Sequence, residues 1–228
     1  PLCLLLEELE QIRSEHTGDG QRKPPLLMVG FNRRFAPLVR RARSLLAGLN
    51  APQAVLITVN AGAIPSEHWT QDLRVGGGRI VGEACHFIDL ARYLVGHPVV
   101  RWNLTVLDSA TRDSVSLQLE YRDGSMATIQ YLANGHRGVP KERIEVYCGG
   151  RVLSLDNFRS LRGHGFSGFR RESSWRQDKG QGACAAAFVR AASAGTAPPI
   201  PVDEIFESSR IAIEAQQRAL AQRGADGA

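Results

Sequence analysis

The sequence predicts an α+β fold: a large, mostly antiparallel open sheet flanked by helices, preceded by a remnant of a parallel α/β layer. Three observations predict it. Residues 99–107, 114–121 and 126–132 read as successive strands, and Val115, Leu117 and Leu119 alternate with Ser116, Gln118 and Glu120. That alternation buries one face of a sheet and leaves the other polar. Arg122-Asp123-Gly124 joins two of these strands, and Gly149-Gly150 joins 144–148 to 152–155, both hairpin signals. Finally, a helical pattern at 4–12 leads through a loop into the continuous apolar run 26–31. Such a run reads as a strand buried on both faces, the second half of a parallel α/β unit. The strand that would open that unit is missing, so the chain reads as a piece of a larger protein.

The remaining elements follow in order. Residues 17–25 form a loop rich in Gly and Pro. Residues 35–49 form a helix with Pro37 in its first turn and Leu38, Ala42, Leu45 and Leu46 along one side. Residues 54–60 are strand-like, and a glycine run at 76–78 opens a helix that ends near Gly96. Residues 158–177, rich in Gly and Arg, read as a long loop. Residues 183–192 are helical, 194–201 a linker and 202–223 a final amphipathic helix. The domain division expected is 1–34 and 35–228.

Composition narrows the class. With 43% hydrophobic and 22% charged residues the chain is an ordinary globular one. No apolar run approaches the roughly 20 residues needed to span a bilayer, and no secretory signal opens the sequence, so no membrane partner is expected. The four cysteines lie far apart without a Cys-x-x-Cys pair, which points to reduced thiols and a cytoplasmic location. The net charge of +5 is spread over scattered groups such as Arg33-Arg34, Arg40-Arg41-Arg43 and Arg170-Arg171. No nucleic-acid motif surrounds them, so no nucleic-acid partner is expected.

Chemistry concentrates on the helix after the glycine run. At about 100° per residue, Ile80, Ala84, Phe87, Ile88, Ala91, Leu94 and Val95 form one broad apolar arc. Gly82, His86, Asp89 and Tyr93 form a stripe opposite, with Glu83 beside it. His86 is the candidate proton-transfer group. Asp89, three residues on, is placed to orient its imidazole, and Glu83, three residues before, to serve as a second acid or base. The alternative is a core histidine satisfied by Asp89 or by backbone. Three consecutive glycines favour function, because an ordinary helix start does not need them. Asn32 and Arg33 follow the buried run, where loops line ligand crevices. Trp69 and Lys179 are further candidate substrate contacts. No metal-ligand spacing is present.

Three segments, in order, resemble the glucose-fructose oxidoreductase / inositol dehydrogenase / rhizopine-catabolism family, Gfo/Idh/MocA. Pro1-Leu2-Cys3-Leu4 with Glu7-Glu8 is similar to the sequence following the family's Glu-Lys pair. Val29-Gly30-Phe31-Asn32-Arg33-Arg34-Phe35 is similar to the strand and turn entering its second domain. Gly76-Gly77-Gly78 through His86 and Asp89 is similar to its Gly-Gly-Gly…Asp-x-x-x-His-x-x-Asp helix. The resemblance implies that 1–34 is a remnant of a Rossmann nucleotide-binding domain and 35–228 a substrate-binding and oligomerisation domain. It implies NAD or NADP in the full-length parent, with Pro1, Asn32 and Arg33 toward the cofactor. His86, Glu83 and Asp89 would be catalytic, and Arg33, Trp69 and Lys179 substrate-binding. The substrate would be a sugar or other polyol carrying a secondary alcohol or ketone, and the assembly a homodimer or homotetramer through the sheet face. Two departures matter: the family lysine and the phosphate-binding glycine turn are absent, and Gly82 stands where the family has aspartate. The fragment alone is therefore expected to bind no cofactor and to be inactive. The other reading is a non-enzymatic ligand-binding or dimerising module.

Overall fold

The computed structural model describes residues 6–11, 14, 25–65 and 67–225. Its centre is one eight-stranded sheet. The strands are β1 (Gln53–Asn60), β2 (Val99–Val106), β3 (Val115–Tyr121), β4 (Met126–Leu132), β5 (Glu142–Cys148), β6 (Arg151–Asp156), β7 (Ser160–His164) and β8 (Arg171–Ser173). They lie in the order β2-β3-β4-β1-β5-β6-β7-β8. Among the described residues β1 and β4 are the one parallel pair, and every other pairing is antiparallel. The helices are α1 (Pro37–Leu46), α2 (Cys85–Val95), α3 (Gln181–Ala194) and α4 (Val202–Ala225).

Alternation decides which sheet face is covered. In β1, Val55, Ile57 and Val59 are buried while Leu56 and Thr58 face outward. The covered face carries α2 over β1 and β4, α4 over β2, and α1 over β6 and β7. Burying each such Val, Ile or Leu contributes about 1.5–3 kcal/mol, so this layer is the main source of stability. Pro37 starts α1 where a missing N–H costs nothing. Gly96, at φ 80°, ends α2 in the left-handed region.

Two expectations change. The run 26–31 joins no sheet among the described residues. Its backbone closes tight local turns, Phe31 N–H to Val29 O and Asn32 N–H to Gly30 O, each 2.7 Å. Phe31 packs with Ile200 and Ile205, flanked by Met28 and Val29. An apolar run becomes a strand only where a ladder accepts it. The stretch 158–177 is not a plain loop, because it contains β7 and β8. Leu161 and Gly163 turn inward, and Gly163 leaves room for the Phe169 ring. The polar stripe of α2, for its part, is covered. α2 lies between the sheet and α4, with the 3₁₀ turn Asn32–Phe35 against it, so Asp89 and Arg92 are buried as well as the apolar arc. Of the expected first helix, residues 6–11 are described and helical, while Pro1 and the loop at 17–24 lie outside the described residues. No helix among the described residues is long and apolar enough to cross a membrane.

Candidate functional site

The glycine run is shaped by the chain itself. Gly77 and Gly78 hold φ of 71° and 88°. A Cβ on Gly76 would come within 2.5 Å of the Trp69 carbonyl oxygen and the Thr70 Cα, and one on Gly78 would strike the Gln216 side chain. Gln216 in turn accepts the Ile80 N–H at 3.2 Å, satisfying a donor at the helix start. From there Ile80–Ala84 winds as a π-helical turn before α2 begins at Cys85. Such turns widen the helix and re-aim side chains, here those of Glu83 and His86.

Glu83 is the hub of a charged cluster. The Tyr131 hydroxyl donates to its Oε2 and the Lys141 ammonium to its Oε1, each at 2.5 Å, and Arg79 stands 3.5 Å away. Arg79 also bonds the Gly62 carbonyl at 2.8 Å and Asp113 at 3.2 Å, with its guanidinium 5.2 Å from the centre of the Tyr131 ring. Burial alone would raise the Glu83 carboxyl, but hydrogen bonds from Lys141 and Tyr131, with the charges of Lys141 and Arg79, pull it down to about 2. The Tyr131 hydroxyl is pushed the other way, by burial and by Glu83.

One turn later His86 is half-buried, its ring edge-on to Phe31 with centroids 6.0 Å apart. Burial, with the positive charge of Arg33, lowers its pKa to about 4, against the opposing pull of Glu83. The imidazole is therefore neutral at pH 7. Its Nδ1 is buried and has no hydrogen-bond partner among the described residues. The expected Asp89–His86 contact is not made. Asp89 is fully buried and both its oxygens take Arg34, Oδ2 from Nε at 3.0 Å and Oδ1 from the terminal nitrogen at 2.5 Å. Arg34 reaches on to Glu204 at 2.8 Å. Asp89 thus fastens α2 to the 3₁₀ turn and to α4 rather than orienting the histidine.

The other predicted residues fall into place differently. Arg33 is buried, 3.1 Å from Glu142 and with its guanidinium 4.4 Å from the centre of the Phe87 ring. Lys179 reaches the same carboxylate at 2.6 Å, and the Asn32 amide donates to the Lys179 carbonyl at 2.7 Å. The structure brings Asn32, Arg33 and Lys179 together through Glu142. Trp69 stands apart, exposed on the loop before the glycines, tilted against His68.

Residues 41–153 match the family model described as the GFO/IDH/MocA C-terminal domain. The chain carries a domain of this family. A curated relative, the inositol 2-dehydrogenase of Rhizobium meliloti (strain 1021), is 28% identical over 143 residues, 59% of this chain and 43% of that protein. The chain spans less than half the length of that relative. Among solved structures, aldose-aldose oxidoreductase from Caulobacter crescentus superposes with a TM-score of 0.72 at 21% identity, covering 96% of this chain and 67% of the other. UDP-N-acetylglucosamine 3-dehydrogenase from Acidithiobacillus ferrooxidans gives 0.70 at 18%, covering 92% and 66%. At those identities the structural likeness shows the fold.

Within this GFO/IDH/MocA domain, sequence reasoning missed Arg79, Asp113, Tyr131, Lys141 and Glu142. One signal was available. Glu142 is in phase with Ile144, Val146 and Cys148, so an acid sits on the buried face of β5 and must be paired.

Of the residues expected toward NAD(P), Asn32 and Arg33 are each partly engaged by this chain's own groups. The Asn32 amide nitrogen is taken by the Lys179 carbonyl and one terminal nitrogen of Arg33 by Glu142, while the buried Arg33 Nε has no partner among the described residues. Pro1 lies outside the described residues.

Proposed function

We propose that this chain is the substrate-binding and oligomerisation portion of an NAD(P)-dependent oxidoreductase acting on a secondary alcohol or ketone of a sugar, cyclitol or related polyol. The observation that carries the reading is His86, a neutral imidazole beside the charged Glu83 cluster with a ring nitrogen left unpartnered. The family supports the reaction class, and the inositol, aldose and nucleotide-sugar enzymes named above support the substrate class.

His86 takes the hydroxyl proton of the alcohol in the oxidative direction and returns it to the ketone in the reductive one. Glu83, with its carboxyl near 2, stays ionised at every working pH, so it accepts hydrogen bonds and gives no proton. Arg34 and Asp89 hold the helix that presents His86. Arg33 and Lys179 fix Glu142 beneath it, and Trp69 is the exposed ring available to a sugar face.

The test is nicotinamide turnover over a polyol and sugar panel by the protein that carries this chain, with and without His86→Gln. Loss of about 10²–10⁴-fold in kcat is expected. In the parent protein, kcat/KM should stay level down to about pH 5 and fall with a midpoint near 4, because a histidine with a lowered pKa remains unprotonated until then. Unchanged turnover in the variant would move proton transfer off His86. Absence of both turnover and cofactor binding would favour the non-enzymatic module.

A further inference from the structure

A cavity of about 520 Å³ opens where β1 ends and the 133–141 segment passes over it. Asn60, Gly62, Gly135, Arg137, Lys141 and Asn157 are among its lining residues. Two contacts join it to the His86 helix. Lys141 carries the ion pair to Glu83, and the Gly62 carbonyl accepts from Arg79. Glu83 lies three residues before His86, in the π-helical turn that leads into its helix. The cavity is thereby tied to the start of the helix that bears His86.

Its charge is one-sided. Arg137 and Lys141 line it and no carboxylate does. Glu83 neutralises Lys141 from outside the lining, whereas Arg137 makes no ion pair among the described residues. The walls are fixed. The Asn60 amide donates to the His136 carbonyl at 2.8 Å and the Val139 carbonyl at 3.1 Å, pinning the segment that bears Arg137. Gly135 has no space for a side chain against Asn60. On the opposite wall Asn157 adopts φ 49°, held by its N–H to the Glu142 carbonyl at 2.7 Å and by Gln177 on its side-chain oxygen at 2.8 Å. A rigid cavity with an unpaired guanidinium suits an oxyanion, which the planar fork of arginine binds through two parallel hydrogen bonds.

We propose that this cavity receives an anionic substituent of the sugar substrate, a carboxylate or a phosphate, with Arg137 as its charged anchor and Lys141 as the second cation. This rests on the reading of His86 as the proton acceptor at the reacting carbon, since that reading places the rest of the sugar here.

Calorimetric titration of the whole chain with D-glucose, D-glucuronate, glucose 6-phosphate and inorganic phosphate tests it. One of the two anionic sugars should bind about tenfold or more tighter than glucose, the worth of one charge-assisted hydrogen bond. Whichever it is names the anion. Arg137→Ala, an exposed position, should abolish the preference while His86→Gln keeps it. Equal binding of all three sugars, no binding of any, or a preference that survives Arg137→Ala overturns the proposal. Inorganic phosphate binding as tightly as the sugars overturns the substrate role. Turnover separates the two readings. Preference without turnover by the protein that carries this chain leaves the cavity standing and fells the oxidoreductase reading, and turnover of the preferred anionic sugar unaffected by Arg137→Ala does the reverse.

Discussion

At the residue scale the site is a set of ionisable groups moved off their ordinary values by their surroundings. His86 is held near 4 and Glu83 near 2, by opposite balances of burial and charge. The Glu83 shift has a direct consequence for stability. An acid whose pKa is lower in the folded chain than in the unfolded one stabilises the fold above its unfolded value, 4.5, and loses that contribution as pH falls toward 2. Glu83→Gln should therefore lower the melting temperature at pH 7 and narrow the gap to the parent between pH 4.5 and 2. Melting curves at half-unit pH steps check it, and a constant gap would exclude Glu83 as the source. His86, Glu83 and Asp89 were legible because they share one helix. Their partners were not. Lys141 is 58 positions from Glu83 and Arg34 is 55 from Asp89, distances at which sequence spacing carries no geometry. Asp89 illustrates the cost. Helical spacing allows it to reach His86, yet a bidentate arginine in a buried setting outcompetes a neutral imidazole.

At the element scale, strands with apolar alternation were legible and those defined by their neighbours were not. β3 to β6 match their expected bounds within two residues, because inward Val, Leu and Ile positions mark the period. β7 and β8 hide behind Gly and Arg, since β7 takes its hydrogen bonds from β6 and the edge strand β8 from β7 whatever their own side chains prefer. The run 26–31 shows the converse. The π-helical turn was equally hidden, because a 3.6-residue period is indifferent to one widened turn. The glycines around that turn separate two causes. Gly76 is required by close approach of the Trp69–Thr70 backbone, whereas a Cβ on Gly82 would sit in ordinary contact, 3.7 Å from the Gly76 carbonyl. Gly76→Ala should destabilise by about 1–3 kcal/mol, the cost of overpacking against backbone. Gly82→Ala should stabilise by about 0.5–1 kcal/mol by restricting the unfolded chain. Urea unfolding of the two variants decides it, and equal effects would mean the run serves no packing role.

At the scale of the whole molecule, the helices cover one face of the sheet and leave the other open. One of its two edges is guarded. β8 is three residues long and reads Arg-Glu-Ser, too short and too charged to pair with another chain. The other edge, β2, is eight residues long, and the open face lies between the two. Strand pairing sets Met126 and Tyr147 on either side of Ala54 in one row, with Leu56 on the same face of β1. Met126 is 54% exposed, Tyr147 41% and Leu56 38%, an apolar centre with polar residues such as Thr58 and Arg143 around it. Eight strands at the usual spacing, seven residues long, give a face of roughly 34 by 23 Å. That matches the roughly 800 Å² per partner of a stable interface. An apolar centre with a polar rim is also how such interfaces are built. The proposed homo-oligomer should therefore form through this face. Sedimentation velocity should show a dimer or tetramer that the pair Met126→Lys and Tyr147→Glu converts to monomer. The melting temperature of that monomer should change little, because neither side chain belongs to the covered core. A parent chain that stays monomeric across concentration would remove the sheet face from the assembly, as would a doubly substituted chain that still associates.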